Sequence, residues 1–91
     1  MIRVFVLYPE APDKERYDEH VELSRREVPE ATIRHGPVLG TPSGESRYAY
    51  YFEYEFSDRD AWKRSREGLN RAGQHAQELG RPFEVYFAEV E

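Results

Sequence analysis

The sequence predicts an α+β domain whose strands and helices follow the order β-α-β-β-α-β. Three observations carry this prediction: an apolar, β-branched run at the N-terminus, a middle segment with strict alternation, and two segments with apolar residues at helical spacing. A chain of 91 residues buries only roughly 60–65% of its unfolded surface, which supports one small core. We therefore expect a single domain over residues 1–91, which pairing with a second copy would stabilise.

The first, second and last strands follow from composition and from the residues that interrupt them. Residues 2–8 are almost continuously apolar and end at Pro9, which lacks the amide hydrogen that a strand ladder needs, so they predict a central strand. Residues 32–41 predict the second strand, and a Pro-Ser-Gly-Glu turn separates it from the third. Residues 83–90 alternate and predict the last strand.

The third strand, over residues 47–56, has the clearest pattern in the chain. Its even positions are all aromatic: Tyr48, Tyr50, Phe52, Tyr54 and Phe56. Its odd positions mix charged, small and aromatic side chains. Because successive side chains of a strand point to opposite faces, one face of this strand should lie in the core and the other should need a partner or water.

Two helices are predicted between these strands. Asp13 should cap the first helix, which ends before Pro29 and has an apolar face at spacings of 4, 3 and 4: Tyr17, Val21, Ser24 and Val28. Ser57 should cap the second, with Asp60 three residues later. The face of that helix consists of Trp62, Ser65, Leu69, Ala72, Ala76 and Leu79. Gly68 is expected to kink or divide this helix, and Gly80 to end it.

Right-handed crossovers would assemble these elements into a four-stranded antiparallel sheet of order 4-1-3-2, with the helices on one face. The other face would be bare and would carry large groups such as Tyr51. Exposed patches of this kind usually mark interfaces. We therefore predict a homodimer in which two open sheet faces pack together and enclose a ligand cavity.

Composition excludes several classes of function. The chain has no cysteine, so it has no disulfide, thiolate metal site or cysteine nucleophile. Its 18 acidic residues outnumber 13 basic ones, giving a net charge of −5 that would repel a nucleic acid, and none is predicted as a partner. No segment resembles a membrane span or a secretory leader, so we expect no membrane partner and a cytoplasmic location.

Several segments together resemble the EthD-like family of the dimeric α+β barrel superfamily. They are Val6-Leu7-Tyr8-Pro9, Tyr17-Asp18-Glu19-His20, Tyr54-Glu55-Phe56-Ser57 and the region from Ser65-Arg66-Glu67-Gly68 to Leu79. The resemblance covers nearly the whole chain and implies a ferredoxin-like fold, a homodimer and a small hydrophobic or lactone-like ligand. The superfamily includes muconolactone isomerases, cofactor-independent monooxygenases and haem proteins, and for this chain we predict no cofactor.

His20 is the candidate catalytic residue. The family usually carries a Tyr-Tyr-x-x-His-His-x-Pro-Leu pattern in its first helix; Tyr17 and His20 match it, whereas Val21 stands at the second His and Leu23-Ser24 at the Pro-Leu pair. As the side chain that titrates nearest neutral pH, His20 could transfer a proton to or from a substrate carbon or carbonyl oxygen. The alternative is a helix-edge imidazole that hydrogen-bonds to backbone or water.

The candidate ligand-binding residues are Tyr8, Tyr17, Tyr51, Glu53 and His35. Tyr51 and Glu53 share the mixed face of the third strand and, with Tyr8, would bring phenols and a carboxylate to an apolar cavity, where burial would raise the carboxyl pKa. The alternative for Glu53 is an ion pair across the dimer interface, to Arg47 or Arg3.

Other polar and aromatic residues are interpreted as structural. His35 shares a strand face with Ile33 and Leu39, which is typical of a half-buried histidine with satisfied hydrogen bonds. His75 is predicted at the surface or an interface, and the three histidines lack metal-ligand spacing, so no metal site is predicted. Ser24 is expected to bond back to a helix carbonyl, and Trp62 to lie in the core.

Two functional hypotheses remain open. The first is a homodimer that binds a small apolar or aromatic carbonyl compound, with cofactor-free acid/base or oxidative chemistry through His20. The second is a non-catalytic dimeric accessory or binding module. An open cavity lined by His20, Tyr8 or Glu53 would favour the first, and an interior packed solid with side chains would favour the second.

Overall fold

Four antiparallel strands form one sheet, and three helices cover one of its faces. The computed structural model describes all residues, 1–91. The elements are β1 (Ile2–Tyr8), α1 (Lys14–Glu27), β2 (Thr32–Pro37), β3 (Tyr50–Phe56), α2 (Arg59–Arg64), α3 (Arg66–Glu78) and β4 (Glu84–Glu89). None of the helices combines the length and apolar character that crossing a bilayer requires.

The strand order is β2-β3-β1-β4, which confirms the predicted order 4-1-3-2. All three pairings are antiparallel. Val4 of β1 lies opposite Tyr54 of β3 and Phe87 of β4, so these side chains share the face that the helices cover. This register fixes which residues can meet in the core and which face the other way.

The core lies between the sheet and α1, where alternate strand residues meet the buried face of the helix. β1 buries every second residue from Ile2 to Tyr8, and β3 buries its aromatic even positions from Phe52 onward. The predicted face of α1 is buried, and His20 is buried with it. The core aromatics therefore surround the candidate histidine.

The second and third strands are shorter than predicted. β2 ends at Pro37 and β3 begins at Tyr50, so residues 38–49 form a long connection with a small bridge between Thr41 and Gly44. Pro37 has no amide hydrogen to continue the ladder, and Leu39 beyond it is 98% exposed. The predicted strand ends at residues 41 and 47 are therefore wrong.

The second predicted helix is divided at Ser65, not at Gly68. Asp58, rather than the predicted Ser57, caps α2, since its carboxylate accepts a hydrogen bond from the Ala61 amide at 2.8 Å. Ser65 then donates its hydroxyl to the Ala61 carbonyl at 2.9 Å and separates α2 from α3. As predicted, Gly80 follows the end of α3 with a positive φ of 76°.

Gly68 serves a different purpose, which is the close approach of α3 to α1. A Cβ atom at this position would collide with the backbone carbonyl of Glu27, the last residue of α1. Only glycine therefore lets the two helices pack at this distance, and the packing fixes α3 relative to the buried face of α1.

Candidate functional site

A cavity of about 440 Å³ opens on the helix side of the sheet. Its floor is formed by strand residues, and its walls by α2, α3 and one residue of α1, His20. The lining consists of Val4, Val6, His20, Tyr54, Trp62, Lys63, Arg66, Leu69, Asn70, Ala72, Gly73, Ala76, Phe83, Val85 and Phe87. The lining is mainly apolar, so the cavity suits an apolar molecule.

Small side chains on α3 and an uncovered edge strand create this space. Ala72, Gly73 and Ala76 face it from α3, and a Cβ added at Gly73 would meet no atom within 4 Å. On the opposite side, Val85 and Phe87 of β4 remain 44% and 64% exposed although they lie on the helix-covered face. A single chain therefore forms this cavity between helices and sheet, and the predicted cavity between two paired sheets stays a prediction.

His20 of α1 meets His75 of α3 beside the cavity. The two rings are stacked, with planes 6° apart and centroids 5.2 Å apart, and their Nδ1 atoms are separated by 2.9 Å. One Nδ1 must carry a hydrogen and the other a lone pair. The sequence predicts His75 only as a surface or interface residue; in the structure it is half-buried and is the hydrogen-bond partner of His20. No third His, Asp or Glu joins the pair to form a metal-ligand group.

The environment of His20 keeps its ring neutral. Burial, and then the neighbouring His75, lower the pKa of His20 to about 4. Its Nδ1 is engaged with His75, whereas Nε2 makes no hydrogen bond within the chain and is not one of the fully enclosed unpartnered atoms. Nε2 is therefore the atom that a molecule in the cavity can reach.

This pKa bears on the predicted chemistry of His20. A general base works best when its pKa lies near the working pH, so an imidazole with a pKa of about 4 is a weak base at neutral pH. A neutral imidazole is well suited to form one hydrogen bond to a polar ligand atom such as a carbonyl oxygen.

The histidine pair can also transfer a proton without charging His20. When Nε2 of His20 donates its hydrogen to a ligand oxygen, Nδ1 of His20 can take the hydrogen held by Nδ1 of His75, 2.9 Å away. In the same step, Nε2 of the half-buried His75 takes a proton from a hydronium ion in the solvent, so that both rings stay neutral. The geometry thus allows proton delivery from solvent to the cavity through two neutral rings.

Tyr8, Tyr17 and His35 form an aromatic cluster beside His20 without lining the cavity. The ring of Tyr17 lies 5.8 Å from that of Tyr8, 5.6 Å from that of His35 and 6.2 Å from that of His20, measured between centroids. Phe52 completes the cluster, 5.5 Å from His20. Of these predicted ligand-binding residues, Tyr17 therefore contacts His20 directly, and Tyr8 and His35 pack against Tyr17.

Two polar atoms of this cluster are enclosed without a hydrogen-bond partner. They are Oη of Tyr8 and Nδ1 of His35. Burial raises the pKa of Tyr8 to about 12, so its hydroxyl stays protonated. The expectation that His35 has satisfied hydrogen bonds is wrong, and Leu39, its predicted neighbour on the strand face, lies outside β2.

Tyr51 and Glu53 lie on the face of the sheet opposite to the cavity. Odd positions of β3 point away from the helices, whereas Tyr8 pairs with Tyr50 and points toward them. The prediction that Tyr8, Tyr51 and Glu53 share one cavity is therefore wrong. Successive residues of a strand point to opposite faces, so Tyr51 and Glu53 point away from Tyr8. The sequence pattern of the third strand already assigns Tyr51 and Glu53 to the mixed face.

Glu53 instead joins an ion-pair network within the chain. Its carboxylate lies 3.4 Å from Arg3 and 3.7 Å from Arg34, and Glu55 contacts the same two arginines at 3.2 Å each. The predicted alternative, an ion pair to Arg3, forms within one chain and not across an interface. Arg47, the other predicted partner, lies 3.7 Å from Glu84.

We call the uncovered side of the sheet the open face; it comprises Thr32, Arg34, Gly36, Tyr51, Glu53, Glu55, Arg3, Phe5, Leu7, Glu84, Tyr86 and Ala88. The ion-pair network occupies one end of it. The other end carries the apolar and aromatic groups Phe5, Leu7, Tyr51 and Tyr86. The open face is thus part charged and part apolar.

Sequence reasoning missed most of the cavity lining. Trp62, predicted to lie in the core, packs 5.4 Å from Phe87 between ring centroids and lines the cavity. The sequence does not mark Lys63 and Arg66 as lining residues, because charged residues at a helix junction usually only contact solvent. The small residues at positions 72, 73 and 76 are the sequence signal that marks a gap beside the helix.

Comparisons with known proteins establish the fold. No protein-family model matches the sequence, and no curated protein matches it. An EthD family protein from Bacillus halodurans C-125 superposes with a TM-score of 0.78 at 22% identity, over 100% of this chain and 99% of that chain. A dimeric ferredoxin-like protein of unknown function from Jannaschia sp. CCS1 gives a TM-score of 0.72 at 22% identity, over 98% of each chain.

A third solved structure is SnoaB from Streptomyces nogalater, a cofactor-independent oxygenase. It gives a TM-score of 0.58 at 18% identity, over 98% of this chain and 92% of that chain. Sequence identities this low show a common fold but do not show a common activity. The predicted resemblance to EthD-like proteins is confirmed at this level: the chain has the four-stranded, ferredoxin-like α+β fold of these proteins.

Proposed function

We propose that this protein binds a small apolar or aromatic carbonyl compound in the cavity between α3 and the sheet, with His20 hydrogen-bonded to the carbonyl oxygen. The observation that carries the proposal is an open, mainly apolar cavity with one buried polar ring whose Nε2 is free. Apolar walls with a few polar groups are typical of small-ligand sites. The open cavity favours this function over a packed accessory module.

Cofactor-free chemistry at the carbonyl is part of this proposal. The His20–His75 pair supports it, because the pair can supply a proton to a carbonyl oxygen and, in the reverse direction, take one from the hydroxyl group that results. SnoaB, described as a cofactor-independent oxygenase, has a similar fold, which supports cofactor-free chemistry by analogy.

We further propose that two copies associate through the open face. Its apolar end supports this arrangement, since Phe5, Leu7, Tyr51 and Tyr86 would otherwise face water. The Jannaschia protein of similar fold is described as dimeric. In such a dimer each chain would keep its own cavity, because the cavity lies on the opposite side of the sheet.

Isothermal titration with 2-acetylnaphthalene tests the binding site. The ketone should bind the wild type, and a His20→Phe variant, which keeps a ring but loses Nε2, should bind it about fivefold more weakly, the equivalent of one neutral hydrogen bond of about 1 kcal/mol. The matched hydrocarbon 2-ethylnaphthalene should bind both proteins equally.

A cavity-filling substitution locates the ligand. Gly73→Leu should abolish binding, because its side chain enters open space in the cavity. Gln74→Leu introduces the same leucine side chain at the neighbouring exposed position, which does not line the cavity, and should leave binding unchanged. Undiminished binding to Gly73→Leu would show that the ligand sits elsewhere and would overturn the proposal.

A further inference from the structure

We infer that the ligand of this cavity is an acid: an apolar or aromatic compound whose carboxylate is bound by Lys63 and Arg66. This inference rests on the proposed function, because it names the ligand class of the same site. It is carried by the charge of the lining, by the absence of competing partners and by the placement of the two cations on the helices.

The charge of the lining is opposite to that of the chain. Lys63 and Arg66 are the charged side chains that line the cavity, and both are basic. Acidic residues number 18 against 13 basic ones in the chain, yet none lines the cavity. A cavity with this lining would attract an anion, because the lining itself contains no negative charge.

Neither cation is neutralised within the chain. Lys63 and Arg66 have no carboxylate within 4.0 Å, whereas eight other basic residues do: Arg3, Lys14, Arg34, Arg47, Arg59, Arg64, Arg71 and Arg81. The contrast is sharpest at Arg64, which lies between the two in sequence and contacts Glu30 at 2.7 Å. The two cations that border the cavity therefore remain available to a ligand.

Arg66 and His75 lie toward opposite ends of α3, and Lys63 belongs to α2, directly before that helix. Arg66 begins this helix and His75 lies nine residues later, which at 1.5 Å per residue separates them by about 13 Å along the axis. Leu69 and Gly73, which lie between these two residues on α3, line the cavity, and so does Trp62 of α2. A molecule that engages both ends needs an extended apolar body with a carboxylate at one end and a polar atom for His20 at the other.

Paired ligands that differ only in charge test this inference. We expect 2-naphthoate to bind the wild type about tenfold more tightly than the isosteric 2-naphthamide in low salt, because an arginine and a lysine form charge-assisted hydrogen bonds to a carboxylate. The difference should shrink as salt is added. In the Lys63→Gln, Arg66→Gln double variant the two compounds should bind alike.

Arg26→Gln provides the control for the loss of a positive charge outside the cavity. Arg26 is exposed on α1, has no carboxylate partner and does not line the cavity, so its substitution should leave the preference for 2-naphthoate intact. The inference is overturned if acid and amide bind the wild type equally, if the preference survives in the double variant, or if Arg26→Gln removes it too.

The same titrations separate this inference from the proposed function. If 2-acetylnaphthalene binds in the cavity while acid and amide bind equally, only the inference fails. If none of the three naphthalene compounds binds, both fail.

Discussion

His20 owes its character to two features of its surroundings, a buried position on α1 and a second histidine across the helix interface. Burial disfavours the charged imidazolium, and charging both His20 and His75 would place two positive rings in contact. The ring is therefore held as a neutral hydrogen-bonding group. This environment favours recognition of a carbonyl oxygen over strong general-base catalysis.

The lowered pKa of His20 should make stability depend on pH. The imidazole titrates near 6.5 in an unfolded chain and at about 4 in the folded protein, so between these values the unfolded state binds more protons. The part of the free energy of unfolding that depends on a neutral His20 is fully present above about pH 6.5 and is lost as the pH falls toward 4. Urea denaturation should show the free energy of unfolding dropping by about 2–3 kcal/mol between about pH 7 and about pH 4.5.

His20→Gln serves as the control for this titration, because an amide can still hydrogen-bond to His75 but does not titrate. Exposed carboxyl groups with a lowered pKa, such as Glu30 beside Arg64, are the same in both proteins. The difference between the two pH profiles therefore isolates His20. Identical profiles would show that His20 is not held neutral by the fold.

Ser24 ties α1 to the sheet through a buried side-chain contact. Tyr54 Oη donates to Ser24 Oγ at 3.2 Å, and the Ser24 side chain is fully buried. The expected bond from Ser24 to a helix carbonyl is therefore wrong; Ser65 makes that kind of bond instead.

Removing one partner of this hydrogen bond should lower the free energy of unfolding more than removing both partners. Ser24→Ala should lower the free energy of unfolding by about 1–2 kcal/mol, because the Tyr54 hydroxyl is left buried without an acceptor. Tyr54→Phe in the Ser24→Ala background should recover part of that loss. A double-mutant cycle of thermal or urea denaturation measures the coupling, and strictly additive effects would contradict it.

At the residue scale, the sequence predicts that His20 can face a pocket but does not predict its partner. His20 stands near the buried face of a predicted helix, which is local information. His75 lies 55 residues away in sequence, and its contact with His20 depends on how closely α1 and α3 pack. The distance between α1 and α3 is a property of the tertiary structure, and the spacing of residues along one helix does not predict it.

At the element scale, the packing of α1 against α3 is set by a single glycine. Gly68 brings α3 against the last backbone carbonyl of α1. By contrast, Gly73, five residues later in the same helix, faces open space. The same residue type therefore has opposite roles in consecutive turns of one helix.

Alanine substitutions should separate these roles. Gly68→Ala should lower the free energy of unfolding by about 1–3 kcal/mol, because the added methyl group forces the helices apart. Gly73→Ala should raise it by up to about 1 kcal/mol, because alanine is the better helix former. Thermal unfolding followed by circular dichroism measures both, and a stable Gly68→Ala protein would contradict the close approach.

Elements were predicted well where a long pattern supports them and poorly at their ends. Alternation in the third strand and helical spacing in residues 14–27 extend over many residues, so the type of element was clear. The end of β2 depends on a single residue, Pro37, and the division of the second helix on the Ser65 side chain. Local hydrogen bonds of this kind override a pattern that continues through them.

At the scale of the whole molecule, the fold followed from element order alone, whereas the cavity did not. Crossover handedness and strand order fix the topology of a β-α-β-β-α-β chain. The volume beneath α3 depends on the size of the side chains that three elements place there, including Gly73 and Phe87. No single segment of the sequence contains that information.

Association through the open face should be measurable by sedimentation. At micromolar concentration the wild type should sediment with twice the 10.8 kDa mass of one chain. Phe5 and Tyr86 are directly opposite in the sheet register, and replacing both with arginine should give a monomer, because the charges would be forced against the same surface of the other copy.

Leu39→Arg is the control for this experiment, since Leu39 is 98% exposed and lies outside the sheet. The variant should remain dimeric. A wild type that sediments with the mass of one chain across the micromolar range would contradict the proposed interface.

The position of Trp62 has a practical consequence. It is the single tryptophan of the chain, and it stands in the wall of the cavity against Phe87. A molecule that enters the cavity would displace water from the indole and change its fluorescence. Excitation at the red edge of the absorption band excites this tryptophan but not the seven tyrosines. The protein therefore carries its own optical reporter of occupancy, usable for screening compounds without any label.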